Sequence, residues 1–357
     1  MNKKLITLAV AAAMVAPLAA VAETTLYGRI DVSLSTNDVD GLTFTDGVEG
    51  PKSKVADGWD MRNETTRIGV KGSEDLGNGL KAIFQAEWAF EGVEGGSYAA
   101  EPNQSVFRNR LAYAGLSGDW GTVAMGRQWT PYYGAVDKTD IYNKGDINPQ
   151  YLGTSRTGNA IAYKTPNWSG FSAGVALVLD NGNNISNDNN KGIDHYNLAV
   201  NYDNGPFSVG AGYLKIEGST PNGSVNPTKI DDTSLWGVAG SYTFQEMFKI
   251  IGQYESGTFP GDSSGGDFDA SEWTIAGEGY WGNNIFRASY AAYGQDIDDL
   301  DNFWGLGWQY NFSKRTRVYA EYFNGTAFRG AELNADSQLD ISVLDGDSFG
   351  FGVRHDF

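Results

Sequence analysis

Apolar residues recur at every second position over most of this chain. In TTLYGRIDVSL, Leu26, Gly28, Ile30, Val32 and Leu34 share one side, and Tyr27, Arg29, Asp31 and Ser33 share the other. GLKAIFQAEWAF repeats the arrangement, with Leu80, Ala82, Phe84, Ala86, Trp88 and Phe90 set against Lys81, Gln85 and Glu87. FWGLGWQYNF puts Trp304, Leu306, Trp308, Tyr310 and Phe312 on one side. A period of two is that of a strand with two unlike faces, and the helical period is nearly absent. Similar segments fall near 63–72, 106–117, 121–129, 157–165, 170–179, 194–203, 206–216, 232–243, 246–256, 270–281, 284–294, 316–325 and 346–357. With the three quoted they make sixteen predicted strands.

The connections alternate in length. SEDLGNG, SGDWG, TPNWSG, DNGP, WGNN and SKR are short and carry turn residues. Long connections are predicted near 35–62, 91–105, 129–156, 180–193, 217–231, 257–269, 295–301 and 326–345. A soluble sandwich has no reason to put every long loop at one end. A transmembrane β-barrel does, with an even strand number, an apolar outside and a polar inside. Trp120, Trp168, Trp281, Phe312 and Phe357 crowd the short-turn ends, as an interfacial girdle would. The last strand, SFGFGVRHDF, points Phe349, Phe351, Val353 and Phe357 toward lipid and Arg354 and Asp356 toward water. It must pair with the first strand, because an open edge has no hydrogen-bond partners in hydrocarbon.

Composition adds the compartment. Lys3 and Lys4, the apolar run from Leu5 to Ala16 and the Ala20-Val21-Ala22 site predict a signal peptide over residues 1–22. Residues 23–357 then form one barrel domain whose open lumen removes the size limit of a packed core. The net charge is −18, and removing Lys3 and Lys4 makes it more negative. That balance argues against nucleic acid as a partner. There are 47 Gly and no Cys, so no disulfide framework is expected.

LYGRIDVSL, TRIGVKGSEDLGNGLKAIFQAEW, RLAYAGLSGDWGTVAMGRQWTPYY, AYKTPNWSGF and the terminal Phe resemble the Gram-negative general porins. The resemblance implies a 16-stranded antiparallel transmembrane barrel, all-β, assembled as a homotrimer in the outer membrane. It implies passive passage of small hydrophilic solutes and ions, contact with lipopolysaccharide, and a terminal Phe357 read by the barrel-assembly machinery. It also implies a third loop, residues 130–157, folded into the lumen and carrying Asp137, Asp140 and Asp146. This loop lacks the Pro-Glu-Phe-Gly-Gly turn of enterobacterial members, so the acid that faces the pore is left open. Opposite it, the resemblance assigns a basic wall to Arg29, Arg67, Arg110 and Lys164.

Strand parity gives these four an independent argument. Arg29 is out of phase with Leu26, Arg67 with Ile68 and Val70, Arg110 with Leu111 and Tyr113, and Lys164 with Ile161 and Tyr163. If the apolar partners face lipid, the cations face the lumen. Arg127 shares parity with Val123 and Met125, which places it outward; a contact with Glu94 or Glu101 of a neighbouring subunit and a simple loop-base cap both suit it. The acidic outer loops, such as DIDDLD at 296–301, predict a weak cation preference by focusing negative potential at the mouth.

Catalysis finds no motif. His195 and His355 are the two histidines, and both sit at surface positions. DNGNNISNDNNKGID lacks the spacing and closing Glu of a calcium loop, so neither metal nor cofactor is expected. The alternatives to a general diffusion channel are a substrate-specific outer-membrane channel and, further off, a barrel hydrolase. The first needs a series of lumenal aromatics, which Tyr319 and Tyr280 do not make.

Overall fold

The structure is a computed structural model. It describes residues 23–45, 48–49, 53–90, 107–144, 151–179, 192–193, 195–216, 232–259, 267–295, 302–333 and 339–357. The strands in chain order are β1 Glu23–Thr45, β2 Val48–Glu49, β3 Ser53–Asn63, β4 Arg67–Gly77, β5 Leu80–Phe90, β6 Phe107–Gly118, β7 Gly121–Trp129, β8 Arg156–Lys164 and β9 Phe171–Val178. They continue as β10 His195–Asn204, β11 Phe207–Ile216, β12 Thr233–Phe244, β13 Phe248–Phe259, β14 Phe268–Trp281, β15 Asn284–Gln295, β16 Phe303–Asn311, β17 Thr316–Leu333 and β18 Leu339–Asp356. Among the described residues one helix, α1, covers Pro131–Val136.

Each strand pairs antiparallel with its neighbours, and the last returns to the first. β1 meets β18 from Arg29↔Asp356 to Thr45↔Asp340. Its other edge meets β4 from Glu23↔Ser73 to Arg29↔Arg67 and then β3 above. β3 and β4 are therefore one wall strand broken at residues 64–66, and β2 is a short addition to a protruding hairpin. The wall has sixteen strands, as the alternation predicted. At the break, the Thr66 hydroxyl takes the Asp31 N–H at 3.0 Å, standing in for a ladder partner.

The faces sort by solvent. Leu26, Leu34, Phe351 and Val353 are exposed outward, while Asp31, Ser33, Ser35 and Asn37 on β1 are buried. That inversion is what a wall between hydrocarbon and a wet lumen requires. All five predicted girdle aromatics are exposed beside the short turns. The β4–β5 turn has positive φ at both Asn78 (52°) and Gly79 (78°), the two-residue geometry that matches strand twist. His355 stands on the outer face, where its Nδ1 meets the Thr316 hydroxyl at 2.9 Å.

Two predicted loops prove to be largely strand. β1 runs on to Thr45 and β17 and β18 extend through most of 326–345. These hairpins continue the β1–β18 and β17–β18 ladders into sequence where sustained apolar alternation disappears. The predicted signal peptide lies outside the described residues, as do DIDDLD, most of DNGNNISNDNNKGID and the 91–105 loop.

Candidate functional site

The buried apolar side chains gather where the third connection lies against the inner wall. Thr130 caps α1, its hydroxyl accepting from the Tyr133 N–H at 3.1 Å, and Pro131 begins the helix. Tyr132, Ala135, Val136 and Leu152 then pack on Ala199, Leu214, Leu235 and Phe259. Such close approach needs glycine in the wall. A Cβ on Gly210 would lie 2.3 Å from the Ala135 carbonyl oxygen, and one on Gly237 2.6 Å from the Tyr132 hydroxyl. Farther along, Tyr142 packs on Val39, Ala291, Phe303 and Phe323.

Wall carboxylates hold this segment by its backbone. Glu255 accepts from the Tyr132 hydroxyl at 2.8 Å and from the Leu152 N–H at 2.9 Å, clasping both limbs of the loop. Glu321 accepts from the N–H groups of Asn143 and Lys144 at 2.9 and 2.7 Å, and from the Asn143 amide at 3.0 Å. Gln253 takes the Thr139 hydroxyl at 3.0 Å. Both glutamates are fully enclosed. Buried carboxylates persist only with full hydrogen-bonding, and here loop N–H and hydroxyl groups provide it.

The facing wall carries the cations. Arg110 Nε lies 2.6 Å from Glu87, and Arg67 lies 4.0 Å from the same carboxylate. Tyr27 donates to Glu87 at 3.0 Å, and Gln85 joins Tyr27 to Tyr113. Arg29 bonds Asp356 at 2.7 Å and Thr65 at 3.2 Å. Arg67 is within electrostatic reach of both Arg29 and Arg110, so the structure brings these three predicted cations together. Lys164 faces inward opposite Thr122 but beside a short turn, with no bond to that group among the described residues.

Arg110 arrives by a route that parity misses. Leu111 and Tyr113 pair with Glu87 and Gln85 and so face inward, not toward lipid. The register shifts between Glu87 and Trp88, leaving Arg110 as the extra residue of a bulge that aims it inward as well. A second register shift between Gly126 and Gln128 puts the extra residue on β8; Arg127 still pairs with Ala112 of β6, which shares the outward side of Ala86. The charge of Arg127 acts on Arg156, whose guanidinium covers Trp129 at 4.4 Å; Trp129 in turn stacks on Tyr133 at 4.6 Å.

The loop acids divide. Asp140 is exposed. Asp137 turns into the loop, with Oδ1 shut from solvent and without a partner. Burial, then the charges of Asp140 and Glu255, push its carboxyl well above the usual range. Burial lowers the neighbouring Lys138 ammonium. Asp146 lies outside the described residues, as do Glu94 and Glu101. Sequence reasoning missed Glu87, Glu255, Glu321, Asp356, Arg156 and the glycines under α1. Inward parity flags the three glutamates as lumenal, but no local signal says which ones meet the loop.

The family model described as Gram-negative porin matches residues 9–326. Outer membrane porin protein 32 of Delftia acidovorans is 32% identical, across 89% of this chain and 88% of that protein. Major outer membrane protein P.IB of Neisseria gonorrhoeae is 28% identical, across 88% and 91%. Among solved structures, an anion-selective porin from Comamonas acidovorans superposes with TM-score 0.69 at 23% identity, covering 94% of this chain and all of that one.

Proposed function

This chain belongs to the Gram-negative porin family of non-enzymatic outer-membrane channels, and from that premise we propose that it is a general diffusion channel for small hydrophilic solutes and ions. The carrying observation is the loop pinned inside the lumen by Glu255 and Glu321, opposite Arg29, Arg67 and Arg110. In this reading solutes pass between the exposed edge of the loop, with Asp140, and the arginine wall. Cations facing acids across a narrow gap set up a transverse field, in which polar solutes align while apolar ones lose water without recompense. The working unit is a homotrimer, residues 1–22 are removed on export, and Phe357 serves as the assembly signal. Single-channel recording of the purified protein, with closures in thirds, tests channel and trimer together. A protein that inserts without conducting overturns the reading.

The acidic outer loops favour a weak cation preference. The narrow part argues the other way. Arg67 and Arg110 share Glu87, and Arg29 has only a share of Asp356, which also bonds Arg317 and Arg354 nearer the short turns. Charges lining the constriction act on an ion at contact, whereas mouth charges are screened over about 10 Å at 0.1 M salt. A weak anion preference is therefore our reading, and the Comamonas neighbour carries that property in its description. Reversal potentials in a KCl gradient decide between the two signs. A substrate-specific channel would instead show sugar-dependent saturation in liposome swelling.

A further inference from the structure

The seam of the barrel carries a charge cluster that runs from Arg29 of the basic wall toward the short turns. Asp356, the penultimate residue, accepts from Arg29 at 2.7 Å, Arg317 at 3.1 Å and Arg354 at 3.2 Å. These three guanidiniums come from β1, β17 and β18. Arg317 and Arg354 stand directly opposite in the β17–β18 register, a pairing of like charges that costs stability. Asp356 offsets one of the three. The next carboxylate, Asp31, is buried and engaged by the hydroxyls of Thr65 and Tyr319. Arg67 and Arg287 add their fields to the same group. Arg317 keeps a buried Nε with no hydrogen-bond partner in the wall.

The cluster sits away from the loop. Arg317 is the second residue after the short turn, and Glu321, which anchors the loop tip, lies four residues farther up the strand. At about 3.3 Å per residue that is roughly 13 Å. The three side chains stay partly exposed to the lumen, at 15–19% of their surface. Guanidinium forks match the paired oxygens of carboxylate, sulfate and phosphate, and a doubly charged anion relieves the Arg317–Arg354 repulsion that Asp356 only partly meets.

We propose that Arg29, Arg317 and Arg354, gathered on Asp356 at the short-turn end of the lumen, form a binding site for small doubly charged oxyanions in transit. The inference rests on the open channel of the preceding reading and adds a discrete station and a ligand class. Asp356 keeps the ring assembled when empty and limits its affinity, so the occupant exchanges.

The test is chloride conductance of the full-length channel in planar bilayers at fixed ionic strength, titrated with sulfate, phosphate or succinate. Saturable reduction of the chloride current is expected. Block by sulfate and phosphate alone assigns inorganic oxyanions; block by succinate as well extends the class to dicarboxylates. Arg317→Gln and Arg354→Gln each raise the half-blocking concentration by about tenfold, the loss of one charged hydrogen-bond pair. Arg317→Lys keeps the charge, guards against a misfolded barrel, and shifts the block by less. Lys314→Gln, an equal change of charge in the adjacent exposed turn, leaves it unmoved. A chloride current that falls only in proportion to the chloride replaced, without saturation, overturns the site, as does a Lys314→Gln shift equal to that of Arg317→Gln. Absence of any channel strikes the preceding reading instead, so the two failures are distinct.

Discussion

Glu255 on β13 and Glu321 on β17 are handed to the loop, whereas Glu87 on β5 and Asp356 on β18 sit among arginines. Glu255 and Glu321 are dry and accept loop N–H and hydroxyl groups. Glu87 and Asp356 are reached by lumen-facing guanidiniums, Glu87 buried and Asp356 partly exposed. The same residue type thus fixes a backbone on one side and tunes a field on the other. What separates the two roles is the partner: neutral loop N–H and hydroxyl donors complete the lone pairs of one pair, while guanidiniums place opposite charge beside the other.

The strongest way to break that contrast is Glu321→Ala. Losing the acceptor for Asn143 and Lys144 weakens docking of the loop tip by about 3 kcal/mol. The barrel still folds, but single-channel traces show larger and flickering conductance; a trace like the wild type removes Glu321 as an anchor. Gly210→Val comes next. Its side chain strikes the Ala135 carbonyl and pushes α1 toward the pore at a cost of about 1–3 kcal/mol, so conductance falls. On the arginine side the effect is on selectivity and not on size. Glu87→Gln strengthens anion preference and Arg110→Gln weakens it, each by roughly twofold in permeability ratio. Reversal potentials that move together for the two variants contradict the assignment of Glu87 and Arg110 to one field.

The smallest effect is pH-dependent. Asp137 holds its proton in the docked loop because its carboxyl is raised by burial. Docking is therefore strongest below the ordinary aspartate value of about 3.9 and weakens as pH rises from there toward the raised value. Open-channel noise should grow across that window, and Asp137→Asn should flatten the profile. Noise that instead falls as pH rises reverses the sign.

Legibility followed the environment of each residue. Leu26 against Arg29, or Phe351 against Arg354, faces lipid on one side and water on the other, so parity reads both correctly. Arg67 and Lys164 point inward for the same reason. Arg110 is lumenal as expected, but through a bulge and against the parity of its neighbours. Arg127 keeps the parity of Val123 and Met125 because the extra residue near Gly126–Gln128 belongs to β8, not to β7. The extensions of β1, β17 and β18 read as loops because their sequences carry no sustained apolar alternation.

The sequence by itself determined a sixteen-stranded wall, its inside and outside, and the closure of β18 on β1. Each follows from a local rule: period two, turn residues, and the cost of an unpaired edge in hydrocarbon. Tertiary structure alone decided where the third loop lies and what holds it. Glu255 and Glu321 are 103 and 178 residues from the loop atoms they bind, and Asp356 is 327 from Arg29. No local pattern encodes such meetings; they arise only when the barrel closes and its two ends and its loop share one lumen.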